Sequence, residues 1–312
     1  MTDTSMPSLR QNPRPRNSRR GRGTLVAWLF IAPALLFYTA FVLIPIGMTA
    51  YYSLLRWNGI GAMQFRGLQN YLTVLTEPDL LITIGNAFQL VLYFTLLPVG
   101  IGLGIAQVIR THLGGPFGTT ARTILFIPQV IPQVIPLVAA GIAWSWMLAS
   151  NGVINQLLTA VGLGSWTRGW LGDFDFALPA VGIIGAWVLL GLCTMLLVTG
   201  IAKIDPTLYE AAKLDGASGW DEFVNVTIPG LRQEIGVCVT VTVIAALASF
   251  DIVYVATGGG PGGVTNVPGL EIYRLAFAHR QVGLASALAI VLMILVIACI
   301  LPIQWLMREP RK

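Results

Sequence analysis

Few side chains in this sequence could do chemistry, and their spacing excludes most of it. The only histidines are His112 and His279, and the long apolar runs between them put the two on opposite faces of a membrane. They cannot share an acid–base or metal site. There is no His-x-x-x-His, no Cys-x-x-Cys and no carboxylate pair inside an apolar run, so metal-assisted or paired-carboxylate hydrolysis has no residues to work with. The glycine run Gly258-Gly259-Gly260-Pro261-Gly262-Gly263 does not read as a phosphate cradle. It lacks a Gly-Lys-Ser/Thr ending, and none of the three lysines follows a glycine. Cys193, Cys238 and Cys299 all lie in apolar runs without metal or disulfide spacing, and read as small packing residues. The expectation is a non-enzyme, without a metal or cofactor of its own and unable to hydrolyse ATP by itself.

Asp251 is the most informative single charge. An apolar run enters near Ile235; a continuous helix from there rises about 1.5 Å per residue and carries Asp251 roughly 24 Å into a hydrocarbon core of about 30 Å. A carboxylate at such depth costs about 2.5–3.5 kcal/mol on insertion scales and should face a cavity or a partner. Two roles stay open: an acceptor for substrate hydroxyls together with Tyr254, or a structural pair near the outer interface.

The elements that hold these residues follow from composition. Hydrophobic residues make up 55% of the 312 and charged residues 11%, against about 25% charged in a soluble domain. This is a membrane protein. The net charge of +5 sits in loops and tails, so it is no sign of nucleic-acid binding. Residues 1–23 carry six arginines and three prolines and read as a disordered basic tail. Although Arg19-Arg20 resembles a twin-arginine signal, the following apolar run is too long and lacks a cleavage site.

Six apolar spans follow: about Leu25–Ile46, Ile82–Ile109, a third from about Thr123, Ala177–Ile201, Ile235–Thr257 and Val282–Met307. The third contains Pro128, Pro132 and Pro136 at four-residue spacing, with Gln129 and Gln133 repeating beside them. They share one helix face, and the carbonyls freed by proline need protein or water partners. That face either packs as a kinked helix or lines a pathway. Residues 150–175 read as a short amphipathic piece with Trp166 and Trp170 at headgroup level. On alternating sides of these spans the Lys and Arg count is fourteen against five of the total of 19. Both termini and the loop between spans four and five are thus expected in the cytoplasm.

That loop, 203–232, is the polar centre of the chain. Asp205 can cap a helix opening with Pro206. Leu208, Ala211 and Ala212 form a small apolar face, and Gly216 stands where a helix turns off through a left-handed residue. Ser218 and Asp221 have capping-box spacing for a second helix bearing Trp220, Phe223 and Val224, which Pro229 should end. The expectation is a helix–glycine turn–helix too short to fold alone, hence one that needs a partner surface.

Glu210-Ala211-Ala212, three residues, Gly216, nine residues, then Val226-Thr227-Ile228-Pro229 resembles the "EAA" loop of binding-protein-dependent ABC importer permeases. Their usual Ile and Leu are replaced here by Val226 and Ile228, apolar for apolar. Phe250–Pro261, Phe65–Tyr71, Gly152–Asn155 and Gly283–Ala287 resemble the carbohydrate branch of that family, so the likeness runs over about residues 24–307. It implies an all-α permease domain whose loop docks on a cytosolic ATPase, with Glu210 as a polar contact, Gly216 as the turn, and Ala211, Ala212, Asp215 and Pro229 alongside. It further implies a second homologous permease, a dimer of ATPase subunits holding ATP and Mg, an extracytoplasmic solute-binding protein, and a sugar as substrate. Asp251, Tyr254, Gln129 and Gln133 are the candidates for its pathway. The competing classes are a self-contained secondary carrier, disfavoured by a lone intramembrane carboxylate and no evident repeat, and an ABC permease for a non-sugar solute.

Overall fold

The computed structural model describes residues 20–112 and 135–307. Gln129 and Gln133, with Pro128 and Pro132, lie outside the described residues, as do most of the basic tail and the C-terminal Arg308–Lys312.

The first unit, residues 1–48, contains one long helical stretch. Helix α1 (Arg20–Tyr38) passes through a π turn at Thr39–Leu43 into α2 (Ile44–Ser53). The turn closes with the Ile44 N–H on the Thr39 carbonyl, one residue wider than an α-helical bond. Trp28–Ser53 is long and apolar enough to cross a membrane, extending beyond the expected end at Ile46.

The second unit, residues 49–312, opens with a two-stranded hairpin, β1 (Leu55–Arg56) and β2 (Gln64–Phe65), and α3 (Gln69–Thr76). Long helix α4 (Pro78–His112) follows. After the gap come α5 (Leu137–Met147), α6 (Val153–Ala160) and the span helix α7 (Ala177–Ile201). The loop helix α8 (Pro206–Leu214) precedes α9 (Gly219–Glu222), which runs on through a π turn, Phe223–Thr227, into α10 (Ile228–Gly230). The chain closes with α11 (Arg232–Leu247), α12 (Asp251–Ala256), α13 (Pro268–Tyr273) and α14 (Val282–Met307). Among the described residues four helices are long and apolar enough to span a membrane, or five if the bent pair ending in α11 counts as one span.

Glycine decides how α4 meets α7. A Cβ on Gly185 would sit 2.0 Å from the Phe94 ring, and one on Gly182 would sit 2.5 Å from Tyr93. Small residues let two apolar helices approach where lipid offers no hydrophobic drive to bring them together. Leu90, Phe94, Val181 and Ile184 fill that seam and are buried. Towards the other end of α4 a second cluster joins Val99, Ala106, Cys193, Leu197, Leu231 and Cys238. The cysteines are free and packed there, as their spacing predicts. Thr242 on α11 donates to Thr95 on α4 at 3.0 Å, pinning a third helix to the pair.

Two sequence expectations fail in and just before the fifth apolar run. It is no continuous helix, because α11 stops at Leu247 and Phe250 takes φ −140° and ψ −60°, outside the helical region. Asp251 opens a separate short helix, so its depth cannot be counted along one rod. Nor does Pro229 end the preceding helix. The π turn widens the backbone just ahead of it, and the helix continues to Gly230, where the chain bends by 70° into α11. The Trp170 indole N–H donates to buried Asn155 at 2.9 Å, while Trp166 is exposed.

Candidate coupling element and pathway face

The loop between α7 and α11 builds itself from local rules. The Asp205 carboxylate accepts the Thr207 N–H at 2.9 Å, with Pro206 opening the helix. That hydrogen bond holds the Asp205 carboxyl below the usual range. At the other end of α8 the Gly216 N–H bonds to the Lys213 carbonyl and the Ala217 N–H to the Ala212 carbonyl, at 3.1 and 3.0 Å. This is the Schellman pattern, and it requires the φ of +80° that Gly216 adopts. Both capping-box bonds of α9 are present, from the Asp221 N–H to Ser218 and from the Ser218 N–H to Asp221. The Ser218 hydroxyl, then its N–H, lower the Asp221 carboxyl too.

The two faces of this helical pair differ sharply. Leu208, Leu214, Trp220, Val224 and Ile228 are exposed, Leu214 by 89% and Trp220 by 70%. Glu210, Ala211 and Asp215 share the exposed side, while Ala212 is half-buried. Tyr209, Glu222 and Thr227 are buried. They meet α4 in one polar network. The Arg110 guanidinium lies 3.8 Å over the Tyr209 ring and contacts Glu222 at 2.9 Å. Gln107 accepts from Arg110 and from Thr227, each at 3.3 Å, and Thr227 shares a 3.1 Å hydrogen bond with the Tyr209 hydroxyl. Lys203 adds a 3.4 Å contact to Glu234 across the bend.

Sequence reasoning finds the caps and the turn but misses this clasp. Arg110 and Glu222 stand 112 positions apart in the sequence. Their spacing carries no local periodicity that could pair them.

The pathway candidates fall into two groups. Gln129 and Gln133 lie outside the described residues. Asp251 and Tyr254 share one face of α12, and both are exposed. Asp251 makes no hydrogen bond or ion pair with a described residue, Tyr254 included. Tyr254 instead stacks on Phe250 at 5.3 Å and meets Tyr273 edge-on at 5.7 Å, and Tyr273 continues to Phe277 at 5.3 Å. An exposed carboxylate beside a row of aromatic rings is thus what α12 and α13 present. Such a row offers flat apolar surface and the carboxylate offers hydrogen-bond acceptors, a combination suited to polyhydroxylated solutes.

The family described as "binding-protein-dependent transport system inner membrane component" matches residues 97–309. The probable ABC transporter permease protein YurN of Bacillus subtilis is 34% identical over 88% of this chain and 93% of its own. The trehalose/maltose transport system permease protein MalF of Thermococcus litoralis is 33% identical over 89% of this chain and 92% of its own. Among solved structures, a bacterial alginate ABC transporter in complex with an alginate pentasaccharide-bound periplasmic protein superimposes with a TM-score of 0.75. It shares 20% identity over 92% of this chain and 95% of the matched one, a likeness of fold. This protein therefore belongs to the inner-membrane components of binding-protein-dependent transport systems, as a multi-pass permease subunit.

Proposed function

We propose that this chain is one permease of an ATP-driven ABC importer for a sugar or sugar derivative. The observation that carries the reading is the loop element 205–230. One face is tied by Arg110, Tyr209 and Glu222 to the transmembrane helices, and the other leaves Leu208, Leu214 and Trp220 uncovered. A surface that apolar on a short loop pair needs a protein to cover it. Two cytosolic ATPase subunits fit, with ATP and Mg held entirely by them. A second homologous permease would complete the pathway, and an extracytoplasmic binding protein would deliver substrate. Sugar as the solute rests on the trehalose/maltose and alginate transporters among the similar proteins, and on the carboxylate and aromatic row at Asp251, Tyr254 and Tyr273.

The architecture in this reading has six spans, the third beginning near Thr123 and ending in α5 and the fifth broken between α11 and α12. Both termini and the loop face the cytoplasm, following the fourteen-to-five distribution of Lys and Arg. Closure of the ATPase dimer pushes on Glu210 and the exposed leucines. Force then passes through Arg110 into α4 and through Leu231 into α11.

The test is uptake of a panel of labelled sugars and polyol phosphates by a strain lacking the gene, complemented with wild type or with Gly216→Asp. Selective loss of one compound, restored by wild type alone, is expected. Normal uptake by Gly216→Asp would remove the coupling role of the loop. Uptake that survives ATP depletion but collapses with an uncoupler would replace the importer with a secondary carrier.

A further inference from the structure

In the proposed orientation five arginines face the outside, and the structure separates them into two groups. Arg168 contacts Asp173 at 4.0 Å and lies over the Phe176 ring, while Arg274 donates to the Gly258 carbonyl. Arg56, Arg66 and Arg280 make no ion pair with a described residue, yet all three line one cavity of about 670 Å³. No acidic residue lines it. Its walls are predominantly polar, with Asn58, Gln64 and Gln281 among them.

The cavity is built rather than incidental. Its floor is Gly283 of α14, whose added Cβ would fall 1.9 Å from the Leu55 carbonyl and whose N–H bonds to the Trp57 carbonyl at 3.2 Å. Buried Asn70 donates to the carbonyls of Ser53 and Leu55, fixing the hairpin against α3. Arg66 is anchored through its N–H to the Leu54 carbonyl at 2.8 Å. Arg280 is the sole non-glycine among the described residues with positive φ, +52°, and a bulky side chain held there is strained.

The three arginines are exposed and line this polar space with no acidic residue among its walls. An entering anion would supply the missing counter-charge, and the planar fork of arginine matches a carboxylate in two hydrogen bonds. Near it in the chain, Ile60, Phe65 and Leu68 are exposed. Arginine beside exposed apolar side chains is the composition of a protein-docking hot spot, whereas predominantly polar walls leave little surface for an acyl chain. The cavity lies at the starts of α4 and α14, with Arg110 and the coupling loop at the far end of α4.

We propose that this cavity receives an acidic side chain of the docked extracytoplasmic binding protein, so that docking is steered by charge on this face. The inference rests on the importer reading above and adds the chemistry of its outer contact.

The experiment uses the complete importer, with both permeases and ATPases, in lipid nanodiscs, and measures affinity and association rate of its binding protein at 50 and 300 mM salt. Wild type should bind about tenfold or more weakly at the higher salt. The Arg66→Gln/Arg280→Gln double variant should bind about tenfold more weakly at low salt and lose most of the salt dependence, and Lys at both positions should restore part of each. Elution volume and melting temperature of the purified complexes report whether the variants assemble. Unchanged affinity and salt slope in an assembled double variant would overturn the proposal. An equal loss in Arg168→Gln would overturn it too, by showing diffuse charge rather than a cavity. So would a defect present in phosphatidylglycerol discs and absent in phosphatidylcholine discs, which would make the occupant a lipid headgroup. A wild-type complex that binds no such protein would reject the importer reading itself.

Discussion

Arg110 and Glu222 stand 112 positions apart in the sequence and touch at 2.9 Å. The pair joins the end of a transmembrane helix to the inner face of the loop that an ATPase would push. Both side chains are largely out of solvent, 18% and 7% accessible, and Tyr209 and Gln107 complete their contacts. Removing one partner from such a pair leaves a charge buried and unpaired. Arg110→Met should lower the stability of the purified subunit by about 2–4 kcal/mol, read as a drop in melting temperature. Arg110→Met/Glu222→Leu should recover most of that stability yet still transport poorly, because the tie between loop and span is gone. Full uptake by the stable double variant would deny the clasp any part in transmission.

Gly216 allows stability and docking to be separated. A Cβ there meets nothing within 4 Å, so the only cost of a side chain is the left-handed backbone, about 1–2 kcal/mol. Asn and Asp bear that conformation better than most residues. Gly216→Asn should keep the melting temperature within a few degrees of wild type, whereas Gly216→Val should lower it. A loss of uptake in well-folded Gly216→Asp then reports on the surface facing the ATPase rather than on the turn.

The exposed apolar face predicts a different pattern. Leu214→Ser and Trp220→Ser remove side chains that contact little or nothing else, apart from the tilted Trp220–Phe223 pair at 5.6 Å. Melting of the isolated subunit should hardly move, and retention of the ATPase on an affinity column should fall at least tenfold. Undiminished capture of the ATPase would show that this face is not its seat.

Gly185 tests the seam between α4 and α7. An alanine there drives a methyl into the Phe94 ring at 2.0 Å, and overpacking costs about 1–3 kcal/mol. Gly185→Ala should lower the melting temperature, and Gly185→Ala/Phe94→Leu should regain part of it. Additive effects of the two substitutions would contradict the packing.

The helix caps set a pH expectation. Asp205 and Asp221 have carboxyls lowered below their ordinary 3.8 by hydrogen bonds made to the charged form. A depressed folded value contributes stability that is present above the unfolded value and lost as pH falls through the folded one. Helicity of the loop should therefore stay constant from pH 8 to 5 and fall only below about 4, and Asp221→Ala should remove the part of that acid transition belonging to α9 while leaving that of α8. An amide-exchange profile of residues 205–230 across this range measures it.

How much the sequence disclosed depends on the range of the interaction. Ala177–Ile201 and Val282–Met307 were expected with these bounds, because uninterrupted apolar runs flanked by polar residues leave little choice of end. The caps at Asp205 and Ser218 and the turn at Gly216 were legible for the same reason, since each depends on residues within six positions. The break at Ala248–Phe250 was not. No proline marks it, and the contact found there is tertiary, with the Ser249 carbonyl lying where a Cβ on Gly269 would come within 2.6 Å. Pro229 misled in the opposite sense, because a π turn absorbed a residue that normally ends a helix. The clasp at Arg110 lay beyond any local pattern.

The 70° bend at Leu231 has a mechanical consequence. Two stiff arms meet at a residue with no solvent exposure, held among Ala106, Leu197 and Cys238, which is the geometry of a bell crank. In the proposed importer, a thrust on the loop arm would turn α11 about that pivot. Because Gly230 leaves only enough room for Ile204, and Gly200 only enough for Glu234, the pivot has little slack in which that thrust could be lost.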